Sequence, residues 1–186
     1  MRDERSHQRY AGPVENDQSR TADPTAHSVT LRAATSAGVP SLARLIDGHP
    51  LFARYGLTAP RLARGLLAGM TAGDTVMVAR TAGVPVGLAW SVPFGAFGHM
   101  PYLKLLVVDH GAVRQGVGGR LLGDYEQASF AAARYAFLLA TVGNDAGLRF
   151  YKGRGYEVVG RLDDHAHPGV DEWILRKPRP EVDGPR

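Results

Sequence analysis

Residues 113–122 read VRQGVGGRLL, and this glycine-rich segment decides the fold because of what lies on either side of it. It follows an almost continuously apolar run, 103–108, and leads into a segment, 118–135, whose apolar residues recur at helical spacing. A second apolar run, 137–142, comes next. Runs that are apolar on both faces are typical of central, often parallel, strands. The order of strand, glycine turn, helix and strand predicts a βαβ unit with a right-handed crossover.

The glycine-rich loop has the features of a phosphate site. Gly116 and Gly118 allow a tight turn and a close approach of a ligand to the backbone. The predicted helix begins with N–H groups that have no internal acceptor, and such donors bind anions, including a diphosphate. Arg114 and Arg120 add positive charge. Two better-known phosphate loops do not fit, because no Gly-Lys-Ser/Thr follows and Leu121 replaces the third glycine of a dinucleotide fingerprint. A loop that merely connects strand and helix is an equal alternative for this segment alone.

A second motif begins where the second apolar run ends. Residues 144–156, NDAGLRFYKGRGY, resemble the Asn-x-x-Ala-x-x-x-Tyr-x-x-x-Gly-Phe segment of the GCN5-related N-acetyltransferase (GNAT) family. The glycine loop is similar to that family's Gln/Arg-x-x-Gly-x-Gly/Ala segment, and the two stand in the family's order. Three positions depart from the pattern: Val113 occupies the usual Gln/Arg position with Arg114 one place later, Gly147 replaces Ala, and Tyr156 replaces Phe.

The resemblance implies an α/β (α+β) fold with a mixed, mostly antiparallel central sheet of about six or seven strands and helices on both faces. It also implies transfer of an acetyl group from acetyl-CoA, the acyl donor, to a primary amine, with no metal. In this family the strand before the loop splays from the next parallel strand, and the pantetheine arm lies in the opening. The residues implied to contact the coenzyme are Leu106, Val107, Val108, Val113, Arg114, Gln115, Gly116, Val117, Gly118, Gly119, Arg120, Asn144 and Tyr151.

The resemblance implies different roles for these residues. Backbone groups of residues 106–108 would bind the pantetheine arm, and one N–H would polarise the thioester carbonyl. Tyr151 would be the general acid, since a phenol with a reference pKa of about 10 keeps its proton at neutral pH and can give it to the departing thiolate. A short helix is predicted near Asp145–Lys152, and a Tyr that packs on this helix with its hydroxyl at the surface is the structural alternative. For Asn144 the alternative is a helix N-cap, and the two roles are compatible.

The general base is harder to assign from the sequence. No carboxylate occurs in residues 102–108, and Asp109 and His110 lie past the strand end. His99 precedes the strand and is the leading candidate, acting directly or through water, with a solvated loop histidine as the alternative. Freeing a lysine-like amine at neutral pH costs roughly 4 kcal/mol and freeing an α-amine about 1 kcal/mol, so the missing carboxylate favours a low-pKa amine or a water-relayed base.

An acidic cluster surrounds the predicted final hairpin and includes Asp163, Asp164, Asp171 and Glu172. In the family this hairpin helps to line the acceptor cleft, where carboxylates suit a cationic amine. Solvated surface turns are the favoured interpretation of these four residues. The nearby pair His165 and His167 is interpreted as surface histidines rather than as a metal site.

The composition is that of one globular domain: the chain has 186 residues, is 44% hydrophobic and 22% charged, and contains no cysteine. Residues 1–27 are polar and are predicted to form a flexible N-terminal tail, 28–177 the acetyltransferase-like domain, and 178–186 a flexible C-terminal tail with two strand-blocking prolines. No run approaches the roughly 20 apolar residues of a membrane span, and no secretory signal is visible. A cytoplasmic location is therefore expected, with no membrane partner.

The expected partner is a small-molecule or peptide amine. The formal charge of +4 is the only feature that favours nucleic acid, and because its arginines are scattered, nucleic-acid binding is not expected as the main role. The main alternative to the enzyme is a catalytically weak acyl-CoA-binding regulatory domain, a reading motivated by the missing base and by Val113. The sequence leaves the acceptor, the acyl length and the oligomeric state open, and a homodimer is compatible with it.

Overall fold

The computed structural model describes residues 28–181, so the predicted tail 1–27 and residues 182–186 lie outside the described part. Within it the helices are α1 Val39–Ala43, α2 Pro50–Arg54, α3 Ala59–Thr71, α4 Val117–Ala132 and α5 Asp145–Lys152. The strands are β1 Thr30–Ala33, β2 Thr75–Thr81, β3 Val84–Ala96, β4 Met100–Val108, β5 Tyr135–Thr141, β6 Glu157–His167 and β7 Val170–Pro178. None of the helices in this part is long and apolar enough to span a bilayer.

The seven strands form one sheet in the order β1-β2-β3-β4-β5-β7-β6. All neighbours are antiparallel except β4 and β5, which run parallel and are joined by α4. The predicted fold class, a mixed and mostly antiparallel sheet of about six or seven strands, is confirmed. The predicted βαβ unit is β4, α4 and β5.

Apolar side chains cover both faces of the sheet. One buried cluster packs α4 against the sheet through Leu121, Leu122 and Leu138. The other packs α1 and α3 against the opposite face through side chains such as Leu42 and Leu66. Each of these five side chains is at most 1% exposed. Helices therefore lie on both faces, as predicted.

Several boundaries differ from the sequence-based expectation. The Gly- and Phe-containing residues 94–99, which follow Pro93, predict a loop, but the loop is shorter because β3 continues to Ala96 and β4 already begins at Met100. The apolar residues between Ser36 and Ile46 recur at helical spacing and predict a single helix, but the structure has α1 there with a short 3₁₀ turn on either side. The pattern did not predict α2. The last hairpin, predicted from the sequence as strands near 156–162 and 171–176, is longer because β6 continues to His167 and β7 begins at Val170.

The Tyr125 hydroxyl lies where β4 and β5 meet. It accepts the backbone N–H of Phe137 at 3.2 Å and can donate to the carbonyl oxygens of Phe137 at 2.8 Å or Pro101 at 3.1 Å. The ring is 4% exposed and belongs to the core under α4. One hydroxyl thus ties the helix to both parallel strands.

We expect Tyr125→Phe to lower the free energy of unfolding by about 1–3 kcal/mol, because it removes a buried hydrogen-bonding group and leaves its backbone partners less well satisfied. Urea denaturation monitored by circular dichroism measures the change. Tyr135→Phe, which removes a hydroxyl from a half-buried ring on β5, is the control and should change stability by less than about 0.5 kcal/mol. Equal stability of the two variants would contradict this role for Tyr125.

Candidate active site

The parallel strands β4 and β5 separate soon after they meet. Their register contains two pairs, Tyr102 with Phe137 and Leu103 with Leu138. β4 then bulges at Lys104 in its pairing with β3. Beyond the bulge, the rest of β4 remains paired with β3 but has no partner on the β5 side within residues 28–181. The structure therefore contains an opening between these strands, with main-chain groups of β4 along one edge.

The three residues predicted to bind the coenzyme from β4 lie along this opening. The Leu106 side chain lines a cleft, whereas the Val107 side chain is buried in the core on the α3 side. Val108 packs near Gly118 at the start of α4, since a Cβ atom placed on that glycine would lie 3.5 Å from Val108 Cγ2. Any contact of Val107 with a ligand is thus limited to its backbone.

The glycine loop turns sharply into α4. Arg114 and Gly116 have positive φ values of 68° and 80°, and Gly116 is the N-cap residue. The first helical hydrogen bond runs from the Arg120 N–H to the Gly116 carbonyl oxygen at 3.1 Å. The N–H groups of the three residues between them have no acceptor inside the helix, so they are available to an anion.

The residues of the loop differ in how much they are exposed. Val117 is 1% exposed and packs in the core, so only its N–H can serve a ligand. Gln115 donates from Nε2 to the Gly111 carbonyl oxygen at 2.8 Å, which closes the loop on itself. Gln115 is exposed, and the remaining residues are exposed or half-buried: Val113, Arg114, Gly116, Gly118, Gly119 and Arg120.

Arg154 is a cation beside this loop that the sequence reasoning did not single out. A Cβ atom on Gly119 would lie 3.1 Å from Arg154 Nη2. The guanidinium stacks on the Phe150 ring at 3.9 Å and donates to the Phe150 carbonyl oxygen at 3.1 Å. Arg154 reaches the first turn of α4 because of the way α5 packs against α4. In the sequence, only its position within the 144–156 motif could have identified it as a site residue.

Asn144 acts as the N-cap of α5. Its Oδ1 accepts the Gly147 N–H at 3.0 Å. A Cβ atom on Gly147 would lie 2.5 Å from Asn144 Nδ2, so glycine at this position leaves room for the cap. The structural role named for Asn144 is therefore present, and its amide also lines the cleft.

Tyr151 lies on the last turn of α5 and faces the same cleft. Its ring meets Phe150 at 5.2 Å and Tyr156 at 5.8 Å, both edge to face. Burial raises the pKa of Tyr151 above its usual value, so the phenol is protonated throughout the physiological range. Three of the predicted residues, Leu106, Asn144 and Tyr151, are thus brought together at one cleft.

The cleft has a volume of about 410 Å³. Residues from seven elements and two connecting segments contribute to it. Its lining comprises Leu51, Phe52, Tyr55, Leu57, Arg61, Tyr102, Lys104, Leu105, Leu106, Leu139, Ala140, Thr141, Asn144, Tyr151, His165, Ala166 and Glu172.

The acidic cluster of the last hairpin splits in the structure. Asp163 and Asp171 pair with Arg161 at 2.7 and 2.5 Å, and Asp171 also accepts the Asp164 N–H, all in an exposed network. Glu172, by contrast, is 7% exposed and lines the cleft. The favoured surface interpretation therefore holds for three of the four residues and not for Glu172.

His99, the predicted candidate base, is exposed in the turn between β3 and β4 and is not part of the cleft lining. Its backbone N–H donates to the Ala96 carbonyl oxygen at 3.3 Å. His165 does line the cleft, from β6. The one carboxylate and the one imidazole of the cleft lining, Glu172 and His165, both come from the hairpin of β6 and β7.

The short helix α2 brings Tyr55 and two apolar side chains to the cleft, and its N-cap is a histidine. His49 Nδ1 accepts the Leu51 N–H at 3.2 Å, and the His49 ring stacks on His110 at 5.2 Å. Burial, and then the charge of His110, lower the pKa of His49. Protonation of Nδ1 removes the acceptor that caps the helix.

The His49 cap should therefore make stability depend on pH. Because the folded pKa lies below the unfolded value, the contribution is complete above about pH 6.5 and is lost as the pH falls through the folded pKa. We expect the wild type to lose up to about 1 kcal/mol more than His49→Asn between about pH 7.5 and about pH 5, since asparagine caps a helix at any pH. Urea denaturation at both pH values measures this, and parallel losses would contradict it.

Comparison with known proteins agrees with this arrangement. The model of the Acetyltransferase (GNAT) family matches residues 49–156, more than half of the chain. Among curated proteins none matches this chain.

Solved structures share the fold at low sequence identity. Ribosomal-protein-alanine N-acetyltransferase from Brucella melitensis is 23% identical with a TM-score of 0.64, over 81% of this chain and 99% of that chain. Ard1 from Thermoplasma volcanium is 19% identical with a TM-score of 0.68, over 82% and 99%. An acetyltransferase from Salmonella typhimurium, solved with its cofactor acetyl-CoA, is 16% identical with a TM-score of 0.63, over 85% and 98%.

The extent of the family match, together with a sheet that opens between β4 and β5 beside a glycine loop, leads to one assignment: this chain belongs to the GNAT acetyltransferase family.

Proposed function

We propose that this protein moves an acetyl group from acetyl-CoA to a primary amine by direct attack, with Tyr151 as the general acid. The observation that carries the proposal is the continuity of the site. Leu106, Asn144 and Tyr151 line one cleft. Gly118, in the first turn of α4, sits against Phe150, which is the neighbour of Tyr151 in the chain.

The residues present fit the coenzyme. Free N–H groups at the start of α4 and the cations Arg114, Arg120 and Arg154 suit a diphosphate. The unpaired edge of β4 suits an amide-containing arm, because each exposed main-chain group needs a partner. Acetyl-CoA itself supplies an acetyl group activated as a thioester.

The Tyr151 phenol stays protonated until the thiolate forms. Burial raises the phenol pKa, which makes this group a weaker acid than a solvated tyrosine. The thiol that leaves has a reference pKa of about 8.5, as judged from cysteine. The proton therefore moves as the carbon–sulfur bond breaks and not before it, which is the behaviour of a general acid in the transition state.

The test combines binding with turnover. Acetyl-CoA is titrated by calorimetry, and free thiol is then followed over a panel that includes a peptide N-terminus, lysine, spermidine and an aminoglycoside. We expect binding together with amine-dependent thiol release. Tight binding without release for any amine would favour the acyl-CoA-binding regulatory domain, and no binding would contradict both functions.

A further inference from the structure

Three polar side chains form a chain of hydrogen bonds in the cleft. Glu172 on β7 lies opposite Thr141 on β5 in the sheet register. Glu172 Oε1 accepts the Tyr55 hydroxyl at 3.0 Å, and that hydroxyl is 2.6 Å from Thr141 Oγ1. Because a carboxylate oxygen only accepts, Tyr55 donates to Glu172, and the Tyr55 oxygen can then accept the hydroxyl proton of Thr141. One carboxylate oxygen of Glu172 is thereby satisfied.

The second oxygen of Glu172 is not satisfied. Oε2 is buried and has no hydrogen-bond partner in the described chain. Glu172 also takes part in none of the ion pairs found among residues 28–181. A buried carboxylate without a cation is unfavourable, and buried polar atoms are nearly always paired. A structural tie between α2 and the sheet needs only Oε1, so it leaves the charge and Oε2 unexplained.

Glu172 also lies close to the groups of the proposed reaction. Both Glu172 and Tyr151 line the cleft, and Tyr102 lies near both of them. Burial, and then the charge of Glu172 ahead of smaller effects from neighbouring tyrosines, raise the pKa of Tyr102. The remaining walls include apolar side chains of Leu51, Phe52 and Leu139. Glu172 is the one carboxylate in the cleft lining, whose own cations are Arg61 and Lys104. The Lys104 ammonium lies over the Trp90 ring at 4.0 Å. A cation that enters this space can therefore meet the buried Glu172 carboxylate beside apolar walls.

We propose that Glu172 is the acceptor-side catalytic residue: Oε2 binds the ammonium group of a primary amine carried on an apolar stem and accepts one of its protons. This inference rests on the proposed acetyl transfer. It assigns the general base that the sequence left open, and it places that base on β7 instead of in the turn at His99.

The proton transfers balance. Glu172 takes one proton from the ammonium group, and the nitrogen then forms a bond to the acetyl carbon. As the carbon–sulfur bond breaks, the sulfur takes the Tyr151 proton. The nitrogen loses its second proton to the Tyr151 phenolate, which restores the phenol. The net products are an acetylated amine, a free thiol and the proton on Glu172, which passes to water.

Three variants separate catalysis from structure. Glu172→Gln removes the charge but keeps an oxygen that can accept from Tyr55. Tyr55→Phe keeps the charge but removes the hydrogen bond. Glu157→Gln makes the same chemical change as the first variant at an exposed position on β6, where Glu157 pairs with Arg176 at 3.7 Å.

The first readout needs no identified acceptor. Propylammonium is titrated into the full-length protein at neutral pH and followed by NMR backbone shifts, with 1-propanol as the neutral probe of similar size. We expect Glu172→Gln to weaken propylammonium binding by about tenfold or more, Tyr55→Phe by about fivefold at most, and Glu157→Gln not at all. Propanol binding should be equal in all four proteins.

The second readout is the pH profile of thiol release with an amine that turns over. In Glu172→Gln only the free amine reacts, so its rate should rise about tenfold per pH unit up to the pKa of the amine and approach the wild-type rate at high pH. A purely structural role would lower the rate equally at every pH. Charged and titratable groups near Glu172 are Arg54, Tyr55, Arg61, Tyr102, Lys104, Tyr151, His165 and Asp171. Histidine is the side-chain type that titrates closest to neutral pH, so His165→Asn is measured in parallel.

The outcomes distinguish the two proposals. Propylammonium binding that is unchanged in Glu172→Gln would overturn the role of Glu172 even if acetyl-CoA binds and turnover continues. A tenfold rise in rate per pH unit that appears in His165→Asn, while Glu172→Gln keeps the wild-type pH profile, would also overturn it, in favour of His165. Failure of the wild type to bind acetyl-CoA would contradict the proposed function, while the propylammonium titration would still decide whether Glu172 is an ammonium site.

Discussion

Replacing Tyr151 by phenylalanine should lower the turnover number for acetyl transfer by about 100-fold or more and leave the affinity for acetyl-CoA nearly unchanged. The variant loses only the hydroxyl, so the ring still packs against Phe150 and Tyr156. What it loses is the proton donor for the departing sulfur. Steady-state thiol release gives the turnover number, and calorimetry gives the affinity.

Tyr135→Phe is the matched control, because it removes the same atom from a tyrosine that does not line the cleft. It should keep wild-type turnover. If Tyr151→Phe turned over as fast as this control, Tyr151 would have no part in proton transfer. A parallel loss of acetyl-CoA affinity would instead assign the hydroxyl to binding.

Gly118→Glu should abolish measurable acetyl-CoA binding, with a loss of affinity of about 100-fold or more. A Cβ atom at this position would lie 3.4 Å from Phe150 Cζ and 3.5 Å from Val108 Cγ2, which are ordinary contact distances. The backbone can therefore accept a side chain. The added carboxylate would stand in the first turn of α4, where it would repel a diphosphate and compete for its N–H donors.

Gly123→Glu is the control on the same helix, where nothing lies within 4 Å of the added Cβ atom. It should bind acetyl-CoA as the wild type does. Both variants should be as stable as the wild type or more so, because a carboxylate in the first turn and the loss of a mid-helix glycine each favour a helix. A folded Gly118→Glu protein with wild-type affinity would contradict the placement of the diphosphate site.

The local parts of the fold followed from the sequence. The glycine turn and the apolar periodicity after it predicted α4, and the N-cap residue Asn144 marked the start of α5; these are short-range signals. The two apolar runs predicted the parallel pair β4 and β5 because both strands are central and buried. The opening between them came from the family resemblance, and the register bears it out.

The acceptor side of the site could not be predicted in the same way. Tyr55 and Glu172 are 117 residues apart and meet only because α2 packs over the end of β5 and β7. The alternation of side chains along β7 does not tell which of its two adjacent carboxylates is buried. Asp171 pairs with Arg161 at the surface, whereas Glu172 is buried. Arg154 likewise reaches the loop through helix packing. Side chains assembled by long-range contacts leave no local pattern to read.

The most direct measurement is a crystal structure of this protein with coenzyme A. We expect diphosphate oxygens within about 3 Å of the backbone nitrogens of Val117, Gly118 and Gly119, the arm between β4 and β5, and the sulfur facing the Tyr151 hydroxyl. A coenzyme bound elsewhere, or a Tyr151 hydroxyl directed away from the sulfur, would contradict the account.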